Sequence, residues 1–164
     1  MEKTLKIVYV GTSAETIDLL RAESRISLTV HNNLLTAENY LNSGQVPDAI
    51  LCEMVLSGGS GLDMHEWVRQ QKGLDYVSFM LVTYEYKEDL YKEAFNRHID
   101  DYFVIPLVSA ANIAGRVEYL KEYRKKIVYP EPELETEITY HMPVSKRIFD
   151  VVMASSALIV LSPL

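Results

Sequence analysis

Glu53 and Thr83 each stand at the end of a short apolar run, and Gly11-Thr12 and Ile105-Pro106 end two others. Strand ends of this kind could support divalent-cation binding or phosphoryl transfer, but the residue types present argue against both. Mg²⁺ needs several hard oxygen ligands in near-octahedral geometry, and a lone Glu53 with a backbone carbonyl makes a poor cage. Phosphoryl transfer needs positive charge to neutralise the moving group, yet Ile105, and no lysine, stands at the last of these ends. Gly58-Gly59-Ser60-Gly61 could cradle a phosphate ahead of a helix at Leu62, but no Walker lysine follows, and a flexible loop is the plainer reading. His31, His65, His98 and His141 are scattered without ligand spacing, and the single Cys52 excludes an internal disulfide and argues against a zinc cluster.

The elements that must carry these residues alternate. Short runs rich in β-branched residues predict strands at Leu5–Val10, Ile26–His31, Ala49–Glu53, Ser78–Val82 and Asp101–Ile105. Between them, helical periodicity predicts helices at Ser13–Ala22, Leu35–Asn42, Leu62–Gln71, Lys87–Asn96 and Ala110–Lys126. Ser13 offers a cap for the first helix, Thr36 a weaker one for the second, and Ser43-Gly44 a stop. Leu51, Val55, Leu81 and Val82 lie in runs apolar on both faces, as strands covered on each side must be. The alternation implies a doubly wound α/β fold with a five-stranded parallel sheet. In such sheets ligands bind beyond the carboxyl ends of the strands, which is why Gly11, Thr12, Glu53, Thr83, Ile105 and Pro106 are the pocket candidates.

The 164 residues, 48% hydrophobic and 24% charged, suit one domain with a short appendage. A net charge of −7 argues against nucleic-acid binding, which depends on neutralising phosphates. Composition changes at Tyr129, where Pro130, Pro132 and four alternating glutamates from Glu131 to Glu137 favour an extended, self-repelling linker. Beyond it, Lys146-Arg147 precede an uncharged run from Val151 to Leu164. As a helix that run measures about 21 Å at ~1.5 Å per residue, too short for a hydrocarbon core of ~30 Å. It is expected to be a membrane-associated segment cut at Leu164, the alternative being a helix that packs on its own domain.

Residues 4–126 resemble the receiver domain of two-component response regulators, most clearly in Asp48–Leu62 and in Asp100-Asp101-Tyr102-Phe103-Val104-Ile105-Pro106-Leu107. The resemblance implies the receiver/flavodoxin-like strand order 2-1-3-4-5, with an acidic pair for Mg²⁺ after the first strand, a phosphate-accepting Asp ending the third, a Ser or Thr ending the fourth and a Lys before Pro ending the fifth. This chain has Gly11 and Thr12, Glu53, Thr83, and Ile105 with Pro106 at those places, so only Thr83 and Pro106 match. The expectation is a pseudo-receiver that takes no phosphate by that route. Glu53 is then either a permanent negative charge beside Thr83, mimicking the phosphorylated state, or a solvent-facing carboxylate. The stretch Gly11–Thr16 also resembles a flavodoxin phosphate loop, which makes an FMN protein an alternative.

The resemblance further implies self-association through the face built by the fourth helix, fifth strand and fifth helix. Tyr84, Tyr86, Tyr91, Tyr102, Tyr119 and Tyr123 are concentrated there, and core packing is expected to claim at least half of them. The tail, Ser145-Lys146-Arg147-Ile148-Phe149-Asp150-Val151-Val152 with a terminal Ser162-Pro163, resembles the opening of bacterial polyprenyl-phosphate glycosyl-1-phosphate transferases. Lys146, Arg147 and Phe149 would lie at the cytoplasmic membrane interface, and Ser162-Pro163 would break the helix so that it re-enters. The family's Mg²⁺-dependent catalytic domain lies beyond the matched stretch, so no catalytic residue and no cofactor is assigned to this chain. The resulting expectation is a receiver-like domain over 1–126, a linker over 127–143 and the start of a sugar transferase over 144–164. The rival is a stand-alone atypical response regulator.

Overall fold

A computed structural model of the chain describes residues 4–74 and 76–128. In chain order the elements are β1 (Leu5–Val10), α1 (Ala14–Arg21), β2 (Ile26–His31), α2 (Leu34–Asn42), β3 (Ala49–Glu53), β4 (Val55–Leu56), β5 (Gly59–Ser60), α3 (Gly61–Gln70), β6 (Ser78–Thr83), α4 (Glu88–Asn96), β7 (Asp101–Val104) and α5 (Ala110–Val128). Five strands pair in parallel in the order β2-β1-β3-β6-β7. Counting those five alone, this is the 2-1-3-4-5 order that the receiver resemblance implies.

Strand alternation divides the core into two layers. Val8, Val10, Ile50, Cys52, Phe79 and Leu81 point to one face, where Ala37 and Leu41 of α2, Leu62, Met64 and Val68 of α3 and Ala94 of α4 cover them. Leu5, Ile7, Tyr9, Ala49, Leu51, Met80 and Val82 point to the other, beneath Leu20 of α1 and Ile113, Ala114, Val117 and Leu120 of α5. Each large side chain removed from water this way contributes about 1.5–3 kcal/mol. The helix α4 is held least: Ala94 is its one fully buried residue, Leu90 packs in part, and Lys87 at its start makes no side-chain capping bond.

Several local expectations need correction. The glycine-rich stretch after β3 is an antiparallel hairpin, β4 paired with β5, turning at Gly58 with φ of 90°. Its exposed partner is Val55, which is 82% accessible and lies outside the two-sided apolar sheet. The second helix starts at Leu34 because Asn33, and not Thr36, caps it: the Asn33 side-chain oxygen accepts from the Thr36 amide at 2.9 Å. Ser13 caps α1 as its position implies, accepting from the Thr16 amide at 3.3 Å. The second helix stops at Ser43-Gly44, with Gly44 at φ of 88°. β6 runs one residue further than read, to Thr83; β7 stops one residue earlier, at Val104; α5 continues to Val128. The linker from Tyr129 and the candidate interface residues Lys146, Arg147, Phe149, Ser162 and Pro163 lie outside the described residues.

Candidate functional site

The first, third and fourth strands of the chain's resemblance, β1, β3 and β6, end side by side, and Glu53 closes β3. Its side chain turns over the end of β1 toward the start of α1, and the residue is buried, 5% accessible. The turn is possible because residue 11 is glycine. A Cβ at Gly11 would stand 2.4 Å from Glu53 Cδ and 2.6 Å from its Cγ, closer than such atoms approach. The backbone of Gly11 is held in place by its amide, which donates to the His31 carbonyl at 2.8 Å.

Four donors converge on the carboxylate. The Tyr9 hydroxyl donates to Oε1, as does the Tyr84 hydroxyl at 2.5 Å and the Ser13 amide at 3.0 Å. The Thr12 amide donates to Oε2 at 3.2 Å. Three of these donors crowd Oε1 and one meets Oε2, so both oxygens of the buried carboxylate are engaged. The two amides belong to the entry of α1, whose N-terminal end favours negative charge. Burial, and then the bond to Glu53, push the Tyr9 phenol far above its ordinary range, so it stays a donor. Around this centre the Tyr84 hydroxyl lies 3.3 Å from that of Tyr9 and 3.1 Å from that of the buried Thr16, which itself donates to Ser13 Oγ at 3.2 Å.

The structure therefore brings together Gly11, Thr12 and Glu53, and adds Tyr9 together with Ser13, Thr16 and Tyr84, whose types suggest a cap, a loop and an interface and not this pocket. Tyr9 gave one signal: a phenol inside an apolar strand needs a polar partner once buried. Thr83 ends β6 next to this cluster, but its hydroxyl donates to the Phe103 carbonyl at 3.4 Å. The bonded partners of Glu53 and Thr83 are thus different groups, and Glu53 is not the solvent-facing carboxylate of the second reading. Ile105 is 1% accessible, packed among the side chains under α5, with its amide donating to the Thr83 carbonyl at 2.8 Å. Pro106 follows across a cis peptide bond and is exposed.

This donor set does not fit a divalent cation. Gly11 and Thr12 supply no carboxylate, Glu53 is turned onto four protein donors, and no group of three or more His, Cys, Asp or Glu side chains among the described residues could hold a metal ion. The amides of Thr12 and Ser13, which a flavodoxin-like loop would turn to a phosphate, face Glu53 instead. In the glycine-rich hairpin the donors are also spent. The Gly61 amide goes to the Met54 carbonyl at 2.9 Å, and Ser60 and Asp63 cap α3 reciprocally. What remains open beside Glu53 is a hollow of about 220 Å³ lined mainly by Met54, Val55, Val82 and Leu90, with Lys87 among its lining residues.

The tyrosines beyond it are surface residues. Tyr84, Tyr86, Tyr91, Tyr119 and Tyr123 are each about half accessible, so core packing claims far fewer than expected. Tyr86, Tyr91 and Tyr102 form a mutual cluster with ring centroids 5.9–6.3 Å apart. Tyr119 and Tyr123 stack on α5, and the Arg116 guanidinium lies over Tyr119 at 5.5 Å. No helix among the described residues is long and apolar enough to cross a membrane.

No family model and no curated protein sequence matches the chain. Solved structures do match it. A two-component response regulator from Clostridium difficile is 21% identical with a TM-score of 0.62, over 73% of this chain and 97% of that one. The signal receiver domain of a signal transduction histidine kinase from Syntrophus aciditrophicus is 20% identical with a TM-score of 0.61, over 73% and 92%. The receiver domain of a sensor histidine kinase from Pseudomonas aeruginosa, with a magnesium ion coordinated in its active site cleft, is 16% identical with a TM-score of 0.62, over 73% and 98%. The likeness is one of fold, and the chain carries a five-stranded receiver-like α/β domain.

Proposed function

We propose that this domain is a non-catalytic regulatory and oligomerisation module, a pseudo-receiver that takes no phosphoryl group. The observation that carries the reading is the engagement of the buried Glu53 carboxylate by Tyr9, Tyr84, Ser13 and Thr12, with the buried Ile105 at the position where the receiver resemblance implies a lysine. A buried carboxylate engaged by four donors is a poor nucleophile, and the one lysine lining the hollow, Lys87, is paired with Glu85 at 3.7 Å. Incubation with a small phosphodonor and Mg²⁺, followed by intact-mass measurement, tests this: the mass stays unchanged, and stoichiometric phosphorylation would overturn the reading.

The setting follows from the tail's resemblance. The module precedes a Glu/Pro linker and the membrane-anchor start of a sugar transferase. That enzyme moves a sugar 1-phosphate from a nucleotide sugar to polyprenyl phosphate at the cytoplasmic face of the bacterial inner membrane. Mg²⁺ would belong to its catalytic domain. Two copies associate through the tyrosine-rich face, whose half-exposed aromatic rings suit an interface. Partition of the full chain between buffer and anionic vesicles checks the anchor. A chain that stays wholly in buffer with residues 144–164 intact favours instead a stand-alone atypical response regulator.

A further inference from the structure

The loop between β6 and α4, residues 84–87, is tied down residue by residue. The Tyr84 hydroxyl reaches Glu53 at 2.5 Å, the Glu85 carbonyl accepts from the Tyr102 hydroxyl at 3.4 Å, and the Tyr86 ring packs on Tyr91 and Tyr102. The helix that follows offers little anchorage of its own, with Ala94 alone fully buried and no side-chain cap at Lys87. The course of this loop therefore rests on its polar ties, and the strongest is a short bond to a buried carboxylate, a class stronger than neutral hydrogen bonds. A buried carboxylate is costly to keep when an apolar side chain would fill the same space. Its position makes sense if its bonds order something beyond the core.

We propose that Glu53 is a permanent internal ligand. Through Tyr84 it fixes the β6–α4 loop and so holds the Tyr86–Tyr91–Tyr102 cluster in a single arrangement that needs neither a metal nor a covalent signal. Glu53 acts as a positioning residue for that surface. The side chain occupies the space above Gly11 that a larger residue would fill, and it meets the two free amides at the head of α1, so the carboxylate itself is held rigidly. Rigid at one end and bonded to the loop at the other, it works as a latch. This rests on the reading of the pocket as one that receives no phosphoryl group. Mass labelling decides that reading, and amide exchange decides the latch.

The test compares the full chain with Tyr84→Phe and Glu53→Gln by hydrogen–deuterium exchange. In Tyr84→Phe the peptide spanning 84–96 exchanges about tenfold faster, the factor set by losing one hydrogen bond to a charged acceptor. Peptides from β2 and from Ile113–Leu120 of α5 keep their parent protection. Glu53→Gln, which presents an amide donor to donors, accelerates the same loop at least as much. Unchanged exchange over 84–96 in Tyr84→Phe overturns the proposal, as does equal acceleration in α5, which would mean a general loss of stability. If Glu53→Gln fails to fold, Tyr84→Phe decides alone, because it removes a single oxygen from a half-exposed ring.

Discussion

Alanine at position 11 should damage this protein only because Glu53 is there. The backbone at Gly11 does not adopt the left-handed conformation that penalises side chains, so the substitution carries no backbone strain of its own. The new Cβ would stand 2.4–2.7 Å from Glu53 Cδ, Cγ and Oε1, and the carboxylate would have to leave. Forcing an extra methyl into a packed site costs about 1–3 kcal/mol. Stranding the buried Tyr9 hydroxyl adds about 1–3 kcal/mol for an unsatisfied donor. Allowing for overlap between the two, Gly11→Ala loses roughly 2–4 kcal/mol. At roughly 3–4 °C per kcal/mol for a domain of this size, the melting temperature falls by about 6–16 °C. In a Glu53→Ala background the obstacle is gone, and glycine-to-alanine at a compatible backbone stabilises by about 0.4–1 kcal/mol through the unfolded chain. Urea unfolding of the four proteins in a double-mutant cycle measures the reversal of sign. Equal costs of Gly11→Ala in both backgrounds would refute the steric account of Gly11 and the placement of Glu53 with it.

Other consequences can be measured directly. His65 is buried against Phe79, and burial, followed by the nearby Arg69 charge, lowers its pKa to about 4. The unfolded state therefore binds the extra proton between pH 6.5 and about 4, and stability falls as pH falls through that window. After allowance for solvent screening the loss is about 1–3 kcal/mol. Comparing urea unfolding of the parent and His65→Gln at pH 7 and 4.5 isolates it, and an identical pH dependence in both would contradict it. Cys52 is wholly buried and its thiol is pushed far up by burial and then by Glu53. A thiol reagent should modify it only at the rate of unfolding, and rapid labelling of the folded chain would count against its placement. Asp100 receives Arg69 at 3.1 Å, Arg124, and the Phe79 amide at 2.7 Å. Asp100→Ala leaves these donors without their acceptor and costs about 2–4 kcal/mol in chemical denaturation. A change under about 0.5 kcal/mol, the range of ordinary surface substitutions, would show that the junction carries no stability.

The sheet was legible because its signal is long in range but simple in kind. Consecutive residues such as Ile50 and Leu51, which point to opposite faces, are both apolar, as strands covered on each side require, and the intervening helical periods supply the covers. The departures at positions 11, 53 and 105 were also legible, since each is a change of residue type at a strand end. What those departures build was not. Nothing local tells that Glu53 turns inward, because the turn depends on an atom missing from Gly11, forty-two positions earlier, and on phenols at 9 and 84 that periodicity files under packing. The exposure of Tyr91 has a related cause: α4 buries so little of itself that its aromatic residues have no core to enter. Asn33 was missed as a cap because the helix it starts opens with two leucines, which resemble the end of a loop as much as a first turn.

That sparse anchorage of α4 also bears on how the sequence can change over time. Glu88, Asp89, Tyr91, Lys92, Glu93, Phe95 and Asn96 all face outward, while Ala94 is buried in the core and Leu90 packs on it in part. Substitutions along the outer surface of this helix are close to neutral for folding. The outward face of α4 can therefore drift in sequence while the sheet, the second core layer and Glu53 remain as they are.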